Sequence, residues 1–233
     1  MATWNINHGG GRRAAGIVDA IRGWDADVVA LSEVRAQSIA AILEPLRDVY
    51  PHQLTSDVGR QRNGMALLSR HRVEAPEVSS RAEPPWRWLE WYDTMLGTSV
   101  LTVHIPMSVG NGRQTQTFWS EVLRWCGRNG ARAMVLGDLN TGLHHVDETG
   151  AFFSCHQEFR ALSNDAMWRD AWRHINDDAS EYTWFSAQGH GFRIDHAFVT
   201  ADLVGRVSSC EYDHSVRRRR LSDHSALLTD LIT

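Results

Sequence analysis

The sequence contains no lysine: all 24 of its basic residues are arginine. That excludes chemistry needing a primary side-chain amine, including Schiff bases and the phosphate-gripping lysine of P-loops. Any basic side chain that holds an oxyanion must use a guanidinium, which binds bidentately, or a histidine. Cysteine is scarce too. Cys126, Cys155 and Cys210 are odd in number and far apart. They fit neither a disulfide framework nor a zinc spacing, and point to reduced thiols in a cytoplasmic protein. No apolar run is long enough to span a bilayer, and no basic-then-apolar leader precedes the first strand. The fold is expected to begin at Met1, directly before that strand. Repeats, low-complexity tracts and linkers are also missing, so the 233 residues are expected to form one domain, 1–233. A net charge of −4 implies only modest non-specific affinity for nucleic acid.

What is present is alternation. Apolar runs at 2–7, 27–32, 64–69, 99–105, 132–138, 194–200 and 225–232 read as strands, bounded by Gly, Asp or Asn. Segments 12–23, 36–47, 114–128 and 156–174 carry helical spacing. Strands alternating with helices over this length predict an α/β protein of packed layers. The stretch 76–92, with Pro84-Pro85 and then Trp86, Trp88, Trp91 and Tyr92, reads as a turn and a strand in an exposed hairpin.

Polar residues gather at the strand ends: Asn5, Glu33, His104, Asp138, Asn140, Asp195, Asp223 and His224. In layered α/β folds, side chains at one end of several strands converge, and ligands bind there. Each residue alone has an ordinary reading, since Asp and Asn favour turns and a Glu after a strand often caps a helix. Together they make a poor core but a good site for a hard cation and a phosphate.

The ordered motifs "WNIN", "VVALSEV", "GMALLSR", "TVHIP", "VLGDLN", "YTWFS", "FRIDHAFV" and "LSDHSALL" span the chain. In them the sequence resembles the endonuclease/exonuclease/phosphatase superfamily, in particular the exonuclease III and apurinic endonuclease branch. The resemblance implies a four-layered α/β sandwich, two packed mixed β-sheets flanked by helices. It also implies phosphodiester hydrolysis assisted by Mg²⁺ or Mn²⁺. Glu33 would hold the metal, with Asn5 and Asp223 beside it. Asp138 would orient and deprotonate the attacking water, and Asn140 would hold that water or a phosphate oxygen. His224, oriented by Asp195, would contact the phosphate. His104 stands where exonuclease III-like proteins carry tyrosine and deoxyribonuclease I-like members carry histidine; only histidine brings a proton near neutral pH. Met107 stands where the exonuclease III branch tends to carry an amide.

Trp184 and Phe192 fall where that branch builds a tight pocket for a flipped abasic sugar, small and apolar enough to be told from a normal nucleotide. Arg193, in the Arg-Ile-Asp motif, and Arg220, last of the run Arg217 to Arg220, are further candidates for substrate contact. Consecutive residues cannot all point one way, so a four-fold arginine clamp is not expected. The partnership implied is a monomer acting on DNA, with abasic sites among its candidate substrates; the preferred lesion is left open by the sequence. The alternatives are a non-specific nuclease, and a phosphodiesterase on a lipid or small molecule, for which the Trp-rich hairpin would touch a membrane.

Overall fold

The structure, a computed structural model, describes residues 1–59, 62–76, 82–107, 112–150 and 152–232. Strands β1 (Ala2–Asn5), β2 (Val28–Val34), β3 (His52–Thr55) and β4 (Gly64–Ser69) come first, with helices α1 (Ala14–Trp24) and α2 (Ile39–Leu43) among them. Next come β5 (Val73–Glu74), β6 (Trp88–Asp93), β7 (Thr98–His104), α3 (Arg113–Arg128) and β8 (Ala133–Asp138). The last third holds α4 (His156–Ser163), β9 (Trp168–Asp170), α5 (Ala171–Asn176), β10 (Trp184–Phe185), β11 (Gly191–Phe192) and β12 (Asp195–Thr200). It ends with α6 (Ala201–Val204), β13 (Val207–Asp213), α7 (Ser215–Arg218) and β14 (Ala226–Leu231).

Among the described residues, twelve strands form two mixed six-stranded sheets, ordered β13-β14-β1-β2-β4-β3 and β5-β6-β7-β8-β12-β9, and β10 and β11 form a separate two-stranded hairpin. Their facing sides bury Val28, Ala30, Leu67, Trp91, Val100, Met134, Leu136, Val199 and Leu227 in one core. The outer face of the first sheet packs Trp4, Val29 and Leu31 against Ile17 and Ile21 of α1. The outer face of the second packs Leu101, Val103, Val135 and Phe198 against α3 and α4. Helix α3 serves that role because Phe118, Trp119, Val122, Trp125 and Cys126 recur at helical spacing and are buried. The four layers are thus helix, sheet, sheet, helix, as the resemblance implies.

The seven expected strands are all present, and three differences have physical causes. Segment 156–174 is two helices separated by β9, because Trp168 turns into the core and pairs with Thr200 of β12. The expected exposed hairpin is instead β6, paired with β7 inside the second sheet, with Trp88 and Trp91 buried. It therefore offers no tryptophan edge to a membrane at those two positions, and part of the segment, 77–81, lies outside the described residues. Strands β3 and β13 have no clear signature in the sequence; β3 is largely exposed and β13 alternates polar residues with buried Val207, Cys210 and Tyr212. Among the described residues no helix is long and apolar enough to cross a membrane. All three cysteines are free.

Candidate active site

Topology explains why the polar strand ends meet. β1 runs parallel to β2, and β7 parallel to β8, so Asn5, Glu33, His104 and Asp138 lie at carboxyl ends facing the same way. β12 runs antiparallel to β8, which sets Asp195 directly across from Asp138. The approach to β14, antiparallel to β1, delivers Asp223 and His224 to the same edge. Gly137 is required here: a Cβ would lie 2.0 Å from the Val103 carbonyl oxygen. Only glycine lets β7 and β8 close enough to place His104 opposite Asp138.

Glu33 sits at a bulge between β2 and β4, at φ 61°. Bulges next to active sites re-aim side chains, and a left-handed non-glycine backbone persists only where its surroundings fix it. The fixing is visible: Glu33 Oε2 accepts from Asn63 Nδ2 and from the His8 backbone N–H, each at 2.8 Å. Asn5 Nδ2 donates to Glu33 Oε1 at 3.3 Å and to Asp138 Oδ2 at 2.9 Å. The other oxygen of Asp138 accepts from the Asn140 backbone N–H at 3.0 Å. Asn140 itself, at φ 49°, donates its amide to the Ile105 carbonyl at 2.7 Å.

On the far side, His224 Nδ1 is 2.9 Å from Asp195 Oδ2, and His224 Nε2 is 3.9 Å from Asp138 Oδ2. Ser222 Oγ donates to the Asn5 carbonyl at 2.6 Å and accepts the His224 N–H at 3.1 Å, locking the Asp-His segment to β1. Burial opposes charge on His224, but Asp195 and Asp138 outweigh it and push the imidazole up to about 10. It is an imidazolium at neutral pH. Burial, helped by Asp195 and opposed by His224, raises the Asp138 carboxyl to about 7. A buried carboxylate titrating near neutral is suited to take a proton from water.

His104 departs from the sequence expectation. Its Nε2 lies 3.6 Å from Asp138 and 3.7 Å from Glu33. Burial, Arg87 and His224 hold its pKa well below the ordinary histidine value. These surroundings favour the neutral imidazole over the imidazolium.

Arg87 is the residue that sequence reasoning misses. It ends the turn before β6, and its Nη1 lies 3.0 Å from His104 Nε2, on the wall of the candidate cavity. Nothing local marks it, since the signal is its pairing across the sheet. Asn63, which steadies Glu33, is equally silent. Arg87→Gln is expected to lower kcat/KM on a phosphodiester by about 10- to 100-fold, the worth of one or two charge-assisted hydrogen bonds. Steady-state kinetics check this, and an unchanged kcat/KM would remove Arg87 from the site.

The cavity is about 600 Å³ and is lined by Asn5, Glu33, Asp138, Asn140, Asp223 and His224 together with Trp184, Phe192 and Ile194. Trp184 and Phe192 pair across the β10–β11 hairpin with ring centroids 5.6 Å apart. Trp184 Nε1 donates to Asp223 Oδ2 at 3.1 Å, joining the aromatic wall to the carboxylate wall. Met107 lines the same cavity and is exposed. Arg220 is exposed and lines a neighbouring pocket. Arg193 is not at the surface at all. Its guanidinium is fully buried, 2.7 Å from both Asp147 and Asp170. It ties the loop at Asp147 to the end of β9 at Asp170 and, being fully buried, does not face a substrate.

Glu33, Asn5 and Asp223 line one cavity, and carboxylate and amide oxygens are a hard donor set of the kind that fits Mg²⁺ or Mn²⁺. Asp138, Asp195 and His224 also bring ligand atoms within 4.8 Å of one another, so that trio could bind a metal.

A model of the Endonuclease/Exonuclease/phosphatase family matches residues 2–224. The chain belongs to this family. It is accordingly a hydrolase of phosphoester bonds. Solved structures similar to it include an AP endonuclease from Archaeoglobus fulgidus, at 20% identity and TM-score 0.79, covering 100% of this chain and 98% of that one. A 3′ phosphatase from Neisseria, bound to product DNA hairpin, matches at 19% identity and TM-score 0.79 over 100% and 98% of the two chains. A 3′-5′ exonuclease from Neisseria meningitidis matches at 20% identity and TM-score 0.77 over 100% and 99%. These likenesses establish the fold. No curated protein sequence matches.

Proposed function

We propose that the protein is a divalent-metal-dependent DNA nuclease: an apurinic/apyrimidinic endonuclease that also acts at 3′ ends, as exonuclease or phosphatase. The observation that carries this reading is the aromatic wall of Trp184 and Phe192 sharing one cavity with Asp138 and His224, the imidazole held by Asp195. A sugar without its base fits against such a wall, whereas a base-bearing nucleotide is crowded out. The fold's likeness to enzymes described as an AP endonuclease, a 3′ phosphatase and an exonuclease supports it.

The chain's residues divide the work. Asp138 takes the proton of the attacking water, held in place by Asn5 and by the Asn140 backbone. The His224 imidazolium, oriented by Asp195, lies against the phosphate and offsets charge that builds on its oxygens. Arg87 adds a second fixed cation on the cavity wall. Glu33, Asn5 and Asp223 would hold the metal, whose contribution is to polarise the phosphate and stabilise the leaving oxygen.

The test is one labelled duplex with a single abasic site beside the same duplex undamaged, each with Mg²⁺ and with EDTA. Metal-dependent nicking at the abasic position alone is expected. Equal degradation of both duplexes would make the protein a general nuclease, and no cleavage of either would turn the reading to other phosphoesters. Trp184→Ala is expected to reduce abasic cleavage about tenfold more than cutting of intact DNA, a difference of about 1.4 kcal/mol. Equal losses on both substrates would make Trp184 structural.

A further inference from the structure

The four consecutive arginines do not share one fate. Arg217 and Arg220 line a pocket of about 520 Å³ with Arg13, Phe185, Asn7 and Asp223. Asn7 and Asp223 also line the candidate catalytic cavity, so the two depressions are continuous across Asp223. Arg13 is already engaged, its guanidinium donating to the carbonyls of Gly10, Asn7 and Leu221. Arg217 and Arg220 are different. Among the described residues neither has a carboxylate partner or an acceptor for its terminal nitrogens.

Arg217 is nevertheless held still. Its Nε donates to Ser225 Oγ at 3.3 Å, and its guanidinium lies 4.5 Å over the Phe185 ring. An aromatic platform fixes the plane of a guanidinium while leaving its edge free to donate. Arg220 enters the same pocket from the following turn, at φ 58°. Two unpaired guanidiniums, one of them preorganised, form an oxyanion site in a chain whose net charge is −4.

We propose that this pocket is a second phosphate subsite, in which Arg217 and Arg220 hold the phosphodiester one nucleotide away from the scissile one. The proposal rests on the nucleic-acid reading above and deepens it. The substrate is then a strand that continues past the cut on the Asp223 side, and an isolated phosphoester fills only the first cavity.

The experiment compares four substrates: thymidine 5′-(4-nitrophenyl phosphate) and thymidine 3′-(4-nitrophenyl phosphate), each alone and extended by one nucleotide at its free hydroxyl. For the wild type, one of the two extensions is expected to raise kcat/KM by about tenfold or more, the scale of one charge-assisted contact. In the double variant R217Q/R220Q that gain is expected to shrink below about twofold. The same gain in variant and wild type would overturn the subsite. Arg220 is exposed, so Arg220→Gln alone serves as the check if the double variant is poorly folded; it too should lose part of the gain. A second readout is independent of turnover. Binding of a single-stranded oligonucleotide in EDTA should show a salt slope lower by about 0.7 for each phosphate contact removed. If the wild type hydrolyses all four esters with no gain from extension, the subsite alone falls. If it hydrolyses the minimal esters but neither extended one, and binds no oligonucleotide, the nucleic-acid reading falls and takes the subsite with it.

Discussion

Asp138→Asn is expected to lower kcat by about 10²- to 10⁴-fold, the usual contribution of a positioned general base. The amide keeps the shape of the side chain and can still accept from the Asn140 N–H, but it cannot take a proton from water. The pH profile carries the sharper signature. Burial raises the Asp138 carboxyl to about 7, so wild-type rate should climb as pH rises through that value and the carboxylate forms. The variant should lose that limb. Stability should move little. A carboxyl whose folded pKa lies above its unfolded value destabilises the fold once pH exceeds the unfolded pKa, near 4. Asparagine removes that buried charge, but it also weakens one contact with Asn5 and takes one carboxylate from beside the His224 imidazolium, so the changes oppose each other. Kinetics across about pH 5 to 9 with a thermal melt test this. Activity within a few-fold of wild type would end the assignment of Asp138 as base.

Arg193→Leu is expected to act on the fold, with a loss of about 3–5 kcal/mol, the scale for breaking a buried ion pair from one side. Burial alone would raise Asp147 and Asp170, but the Arg193 charge and its hydrogen bonds hold both below the ordinary carboxylate range. In the wild type that pairing stabilises the protein above the unfolded carboxylate pKa, and the benefit is lost as pH falls through the folded values. Without Arg193 the two carboxylates sit 0% and 7% exposed with one cation fewer. Their folded pKa values should then rise, so the variant's deficit should shrink on moving from pH about 7 to about 4.5. Urea melts at the two pH values measure this. A loss below about 1 kcal/mol at neutral pH would be the behaviour of a rim arginine and would restore Arg193 to the substrate face.

The same residue marks where sequence reading stops. The candidate catalytic group is legible because each member sits beside an apolar strand, and strand ends converge in this architecture. Arg193 lies in an equally recognisable motif, yet its partners Asp147 and Asp170 are 46 and 23 residues away. Whether an arginine faces solvent or two buried carboxylates is decided by such distant partners, which leave no local trace. Arg87 is the opposite case: it stands in a tryptophan-rich stretch that reads as a surface hairpin, but sheet pairing turns it into the cavity. Helical spacing runs through 156–174 as though it were one helix. The strand that interrupts it is only three residues long, Trp168–Asp170, too short for alternation to show. The low pKa of His104 is equally hidden, because burial and the neighbouring Arg87 are tertiary facts.

Asn5 and His224 belong to one sheet's edge, Asp138 and Asp195 to the other's, and the hydrogen bonds Asn5–Asp138 and His224–Asp195 cross between them. The proposed reaction centre is therefore a seam. Neither half of the molecule owns a working set of groups, and chemistry exists only while the two halves are docked in register. A slip of the inter-sheet core by about one ångström would part base from imidazolium before it exposed much apolar surface. Turnover is then a more sensitive gauge of that docking than any spectroscopic signal from either sheet alone.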